Sequence, residues 1–215
     1  MCMVPKLLRK LESKSITKSE LLGEVEQDFS LLSDLLNGMS SSKPAVRYGC
    51  VGILMDLSEK YPEKLYPHMD SFIELLDSKY RILVWNALAI IANLAKVDKD
   101  KKFDAVFDKY YSFLNDEYMV TVANVVGNSS KIALAKPYLI PKITKELLKV
   151  ENLSTTPHLT DECRRVIAEK TNKTFDLFYD RIKDKDSVIS FVKKQVNSPR
   201  KTLKKEALDF LKRHA

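Results

Sequence analysis

The chain has five glycines in 215 residues, three cysteines, two glutamines (Gln27 and Gln195) and one tryptophan, Trp85. So few glycines leave little room for tight left-handed turns, which argues against a fold built from β-hairpins. The cysteines, Cys2, Cys50 and Cys163, are odd in number, far apart and without a Cys-x-x-Cys spacing. Neither a disulfide framework nor a zinc site follows from them. The longest apolar run, "ILVWNALAIIANLA" from Ile82 to Ala95, is too short to span a bilayer and contains Asn86 and Asn93. It is better read as a helix buried on most sides. The opening "MCMVPKLLRKLE" lacks the apolar core of a secretory signal. Without such a signal, the Asn-x-Ser/Thr triplets at Asn128, Asn152 and Asn172 are chance occurrences. The expectation is a cytoplasmic protein with no integral membrane segment.

What is present is 45% hydrophobic and 30% charged residues, the balance of a globular chain long enough for a substantial core. Lysine greatly outnumbers arginine and glutamine is scarce, a bias found among thermophile proteins.

Helix signals begin with Thr17-Lys18-Ser19-Glu20, which has the form of a capping box. The apolar residues that follow (Leu21, Leu22, Val25, Phe29, Leu32, Leu35 and Leu36) share one helical face, and Asn37-Gly38 offers a left-handed stop. A polar link leads to Pro44 in the first turn of the next helix. Residues 42–57 then overlay residues 79–94 at an offset of 37. Tyr48 falls on Trp85, Cys50 on Ala87, Ile53 and Leu54 on Ile90 and Ile91, and Leu57 on Leu94. The helices after them overlay at an offset of 38, placing Met69, Phe72, Ile73 and Leu76 on Phe107, Tyr110, Tyr111 and Leu114. A third, looser copy spans residues 117–150, and Pro62, Pro67, Pro137 and Pro141 fall in or near the turns. A period near 37–38 residues built from helix pairs marks an α-solenoid, whose neighbouring pairs stack because one pair cannot bury its own apolar face. Small residues (Gly49, Gly52, Ala87, Ala89, Ala123 and Gly127) are expected where adjacent first helices approach closely.

The pattern Pro44-x-Val46-Arg47-x-x-Cys50-x-x-Ile53-Leu54-x-x-Leu57 resembles the first helix of a HEAT repeat, with Cys50 in place of the usual small alanine. The second copy departs from it, with Arg81 at the proline position and Val84 at the arginine position. The resemblance implies an all-α, right-handed α-α superhelix of about five to six helix pairs, with the second helices on the concave side. On this basis the chain is one solenoid domain. Residues 1–41 form an N-terminal pair or cap, residues 42–152 the clearest repeats, and residues 153–215 divergent basic repeats. In the last part, residues 160–183 suggest a further pair broken near Thr171-Asn172, followed by a short helix over 187–196 and a final helix over 199–213.

Enzyme signatures are missing. There is no Gly-x-Gly-x-x-Gly, no phosphate-binding Gly-Lys-Ser/Thr loop and no His-Glu-x-x-His. HEAT-like hydroxylases hold iron through His-Glu pairs, and none of His68, His158 and His214 precedes a glutamate. Cys50 stands at a packing position, where a thiol is a small inert hydrophobe. Cys163 has Arg164 and Arg165 beside it and His158 five residues earlier, a setting that could lower a thiol pKa, although an ordinary first-turn cysteine is the simpler reading. A lone Trp85 could stack on a base, but its neighbours Leu83, Val84, Ala87 and Leu88 favour packing. The expectation is no catalysis and no cofactor.

The net charge of +7 is unevenly placed. Residues 181–215 hold eleven basic and four acidic side chains, so the other 180 residues balance to zero. Lys193, Lys194, Arg200, Lys201, Lys204, Lys205, Lys212 and Arg213 are candidates for polyanion contact. The competing reading is that a terminal repeat needs a polar outer side. The mixed charges of the second helices, His68, Asp70, Glu74, Asp104, Lys109, Lys142 and Lys145, are candidates for a protein-binding surface. The sequence thus supports a non-catalytic scaffold with a protein partner. The alternative is a nucleic-acid-binding protein that uses its basic end, with a DNA-alkylation-repair-like glycosylase as its extension.

Overall fold

The capping box at Thr17 forms as the sequence suggests. Thr17 Oγ1 accepts from the Glu20 amide at 3.2 Å, and Glu20 Oε2 accepts from the Thr17 amide at 2.8 Å. In this computed structural model residues 6–214 are described, Lys6 by its backbone only; Cys2 lies outside the described residues. Among the described residues all regular structure is helical, apart from one isolated bridge between Thr156 and Leu159. The chain divides between Val97 and Asp98 into two compact units.

The first unit contains α1 (Lys6–Glu12), α2 (Lys18–Gln27), α3 (Leu32–Gly38), α4 (Pro44–Lys60), α5 (Pro62–Leu65), α6 (Met69–Glu74) and α7 (Arg81–Leu94). The apolar face from Leu21 to Leu36 is not one helix. Asp28 adopts an extended conformation, its side chain accepts from the Ser30 amide, and a short 3-10 turn over Phe29–Leu31 intervenes before α3. Local side-chain capping of this kind competes with helix continuation. Nor is Gly38 a left-handed stop, because no described glycine has positive φ; Lys14 and Lys101 alone do so among the described non-glycine residues. Gly38 ends α3 with its Cα against α4, where an added Cβ would lie 2.3 Å from Cys50 Sγ. Contact distance, not backbone freedom, demands glycine there.

Pro44 occupies the first turn of α4, where its missing amide costs nothing. The helix buries Val46, Cys50, Val51, Ile53, Leu54 and Leu57 and packs against α3 and α7. As its sequence implies, α7 is buried along most of its surface. Its one buried amide, Asn93, donates to Ser58 Oγ of α4 at 2.9 Å. The helix after α4 is not continuous: α5 and α6 are joined by a 3-10 turn containing Pro67, which fixes φ and removes a donor.

The second unit contains α8 (Lys102–Ser112), α9 (Met119–Ala135), α10 (Ile140–Leu148), α11 (Asp161–Asp176), α12 (Lys185–Lys193) and α13 (Lys201–His214). The long first helices of the repeats, α4, α7, α9, α11 and α13, begin 37, 38, 42 and 40 residues apart. The period therefore persists beyond the stretch where it is legible, lengthened by the connection over residues 149–160. Thr156 Oγ1 ties that connection to Glu117 O at 2.7 Å, and His158 stacks on Tyr118 at 4.2 Å.

The expected break at Thr171-Asn172 does not occur; α11 runs through it. Both residues are fully buried. Thr171 Oγ1 donates to Ile167 O, and Asn172 Nδ2 donates to Gln195 Oε1 at 2.7 Å. Thr171 Oγ1 and Asn172 Nδ2 are thus partnered inside the protein while Asn172 Oδ1 is left without a donor, an interior setting that sequence alone does not distinguish from a turn. α11 packs between α9 and α13. Of the small residues expected at first-helix contacts, Gly127 faces the side chain of Lys170 on α11. Gly49 instead faces Leu11 on α1, and Gly52 faces Lys18. A cluster of Phe103, Phe107, Tyr110 and Tyr111 fills the space beneath α9, where Tyr111 OH meets Ser129 Oγ at 3.1 Å.

Candidate functional site

The eight basic residues at the C-terminal end separate into two groups. Three are engaged: Lys194 pairs with Glu151, Arg200 with Glu162 and Glu169, and Arg213 with Asp176 and Glu206. Arg200, the residue before α13, bonds to Glu169 of α11 across 31 residues of sequence, and Arg213 of α13 bonds to Asp176 of α11 across 37. These cations are thus paired within the protein, the Lys194 and Arg213 pairs at largely exposed positions. Lys193, Lys201, Lys204, Lys205 and Lys212 are exposed and have no carboxylate partner among the described residues. Glu169 receives bonds from Lys173, Thr202 and Arg200. Burial alone would raise its pKa, but the three donors outweigh it and hold the carboxyl at about 2.

The second-helix residues also divide. Asp70 and Glu74 are exposed one turn apart on α6, whose Met69 and Phe72 face the core. Lys142 and Lys145 are exposed on α10, opposite buried Ile143 and Leu147. His68 and Lys109 are half-buried. Asp104 is half-buried and already engaged, accepting from Tyr138 OH at 2.8 Å and from Lys136 Nζ at 3.2 Å. Lys136 also pairs with Asp98 Oδ2 at 2.9 Å, and the Asp98 side chain is wholly buried. Burial acts to lower the Lys136 pKa; its bonds to Asp98, Tyr138 and Asp104 outweigh this and raise it above the usual lysine value. Asp98 accepts in addition from the amides of Lys102 and Phe103 at the start of α8. No short-range signal in the sequence joins Asp98 to Lys136, because the partners lie 38 residues apart.

Two cavities stand out. One, of about 400 Å³ in the second unit, is lined by apolar Val150, Phe191 and Leu203 and by Arg164, Arg165 and Lys194, among others. Each of these cations is already paired, with Asp161, Glu162 and Glu151 respectively. The other, of about 620 Å³ in the first unit, includes Ser41, Ser42, Arg47, Glu74, Asp77 and Tyr80 in its lining. Arg47 is buried and has no carboxylate partner among the described residues. Its guanidinium donates to Ser41 O at 2.7 Å, Ser42 O and Tyr48 OH, and stacks over the Tyr80 ring at 3.8 Å. Its Nε–H has no acceptor. The carbonyls and aromatic faces account for the cation as a clamp on the turn before α4, and Glu74 and Asp77 oppose entry of an anion.

The two described cysteines differ. Cys50 is fully buried, and burial, helped by Asp34, pushes its thiol up to about 12. Cys163 is half-exposed, its amide capped by Thr160 Oγ1. Arg164 and Arg165 turn to Asp161 and Glu162, and His158 is stacked on Tyr118. Trp85 is half-buried on α7. Among the described residues no helix is long and apolar enough to cross a membrane.

No protein-family model and no curated protein matches the chain. Among solved structures it is similar to the designed armadillo repeat protein YIII(Dq)4CqI, with a TM-score of 0.64 and 19% identity over 97% of this chain and 92% of that one. It is also similar to the designed armadillo repeat protein YIII(Dq.V1)4CPAF in complex with peptide (KR)4, with a TM-score of 0.63 and 15% identity over 97% of this chain and 91% of that one. Identities this low speak for the fold alone. The fold is that of an all-α solenoid of armadillo/HEAT-like repeats.

Proposed function

We propose that the chain is a non-catalytic scaffold that binds extended segments of another protein on the exposed second-helix faces of its two units, α6 in the first and α10 in the second, each face by itself. The observation that carries this reading is the placement of charge on those faces. Asp70 and Glu74 project from α6, and Lys142 and Lys145 project from α10, each pair one turn apart and opposite a buried stripe. Rigid helices hold such side chains at fixed spacing, so a flexible peptide can be read at alternate positions with little reorganisation of the scaffold. A structural neighbour solved with a basic peptide supports the same use of the fold. In the first unit the acidic pair on α6 suits a basic segment, and in the second unit the lysines on α10 suit an acidic one.

The test is a selection from a displayed random-peptide library on the purified protein, followed by calorimetry on synthetic versions of the enriched peptides. Enriched sequences should carry clustered charge, and Asp70→Asn/Glu74→Gln or Lys142→Gln/Lys145→Gln should weaken binding about tenfold or more. Failure to enrich any sequence, or affinities unmoved by both double variants, overturns the reading.

A further inference from the structure

The face of α13 turned away from the protein carries charge that no internal contact uses. Leu203, Ala207 and Phe210 form the buried stripe of this helix, against α11 and α12. Lys201, Lys205 and Lys212, four and seven residues apart, lie together on the opposite side, with Lys204 beside them. Among them stands exposed Leu208. The helix's own carboxylates are off this face: Glu206 meets Arg213, and Asp209 lies on the flank.

We propose that this outward face of α13 is a binding surface for the phosphate backbone of a nucleic acid, contacted by Lys201, Lys204, Lys205 and Lys212. The reading is independent of the scaffold function above. From Lys201 to Lys212 the helix rises about 16 Å, a length that covers on the order of five phosphates of one duplex strand. Four ammonium groups held this close repel one another, and neutralisation by a polyanion relieves that repulsion. Lysine, a mobile point charge, suits phosphate contact and not base readout, so the surface recognises backbone and carries no sequence preference. A solubilising cap needs charge but not charge of one sign. An acidic protein partner would call for aromatic or arginine anchors, and this face has neither. A membrane surface would call for an apolar face, and the one on α13 is already buried, leaving Leu208 alone.

The experiment is fluorescence anisotropy on the full chain with short duplex DNA, single-stranded DNA and RNA across a salt series. Anionic vesicles and a polyglutamate peptide serve as separate arms. Four phosphate contacts predict that affinity falls about a hundredfold between about 50 and 200 mM salt. Lys201→Gln/Lys205→Gln should remove about half of that salt slope. Lys14→Gln/Lys99→Gln, the same charge change at exposed positions elsewhere, should leave both affinity and slope unchanged. The substituted residues are all exposed, and circular dichroism checks that each variant is folded. No binding to any nucleic acid at the lowest salt overturns the proposal. So does equal weakening by the two double variants, or binding confined to the vesicles or the acidic peptide.

Discussion

Replacing Lys136 by methionine keeps most of the side-chain volume and removes the cation from the buried Lys136–Asp98 pair. The Lys136 side chain is 5% exposed and that of Asp98 0%, so water does not replace the lost partner. At 2.9 Å the attraction is about 6 kcal/mol gross with an effective dielectric near 20. Removing the lysine also removes its own desolvation cost, and Asp98 keeps the amides of Lys102 and Phe103. The net loss should therefore fall at the lower end of the range for broken buried pairs, about 3 kcal/mol. On a chain of this size that lowers Tm by about 6–12 °C. The assay is urea and thermal unfolding followed by far-ultraviolet circular dichroism. Trp85 fluorescence provides a separate signal from the first unit. In a double-mutant cycle, adding Asp98→Asn to Lys136→Met should cost less than the sum of the single changes, with a coupling of about 1 kcal/mol or more. Because the Lys136 pKa is raised in the folded state, the stabilisation is complete below the ordinary lysine value of 10.5 and is lost as pH rises through the folded value. The variant should lack this alkaline loss. A Lys136→Met stability within about 0.5 kcal/mol of the parent, or strict additivity in the cycle, refutes the reasoning.

Gly38→Ala should destabilise by about 1–3 kcal/mol through overpacking against Cys50 Sγ, and Cys50→Ala in the same chain should restore most of the loss in the same unfolding assay. Glu169, held at about 2 against an ordinary 4.5, stabilises the fold fully above the higher value and progressively less as pH falls toward the lower one. Glu169→Gln should abolish about 2 kcal/mol of that pH dependence, allowing for its partly exposed partners, as read from denaturant midpoints between the two values. In a variant whose only cysteine is Cys50, the thiol should react with a disulfide reagent at neutral pH only as fast as the first unit opens; a rate near that of a free thiol contradicts its burial.

The helical period, the capping box at Thr17, Pro44 in the first turn of α4 and the buried character of α7 were all legible because each is a local relation. Apolar residues three and four apart share a face wherever they occur, and a cap needs only its own first turn. That locality made the repeat, and with it the solenoid, readable from one sequence. Where the sequence reading failed, a local signal had been overridden by a distant partner. Gly38 does end α3, but what reads as a left-handed stop is a close contact with Cys50 at a glycine without positive φ. Thr171-Asn172 looks like a break until Gln195 accepts from the buried Asn172 Nδ2. The basic end shows the same division. Composition alone located the excess charge, but Arg200 and Arg213 became paired only when α11 brought Glu162, Glu169 and Asp176 beside them. Which cations pair depends on helices 31 to 43 residues apart in sequence meeting in space, and no local pattern encodes that meeting. The sequence by itself determined the helices and their period; tertiary packing decided which polar groups hold the fold and which lysines remain available to a partner.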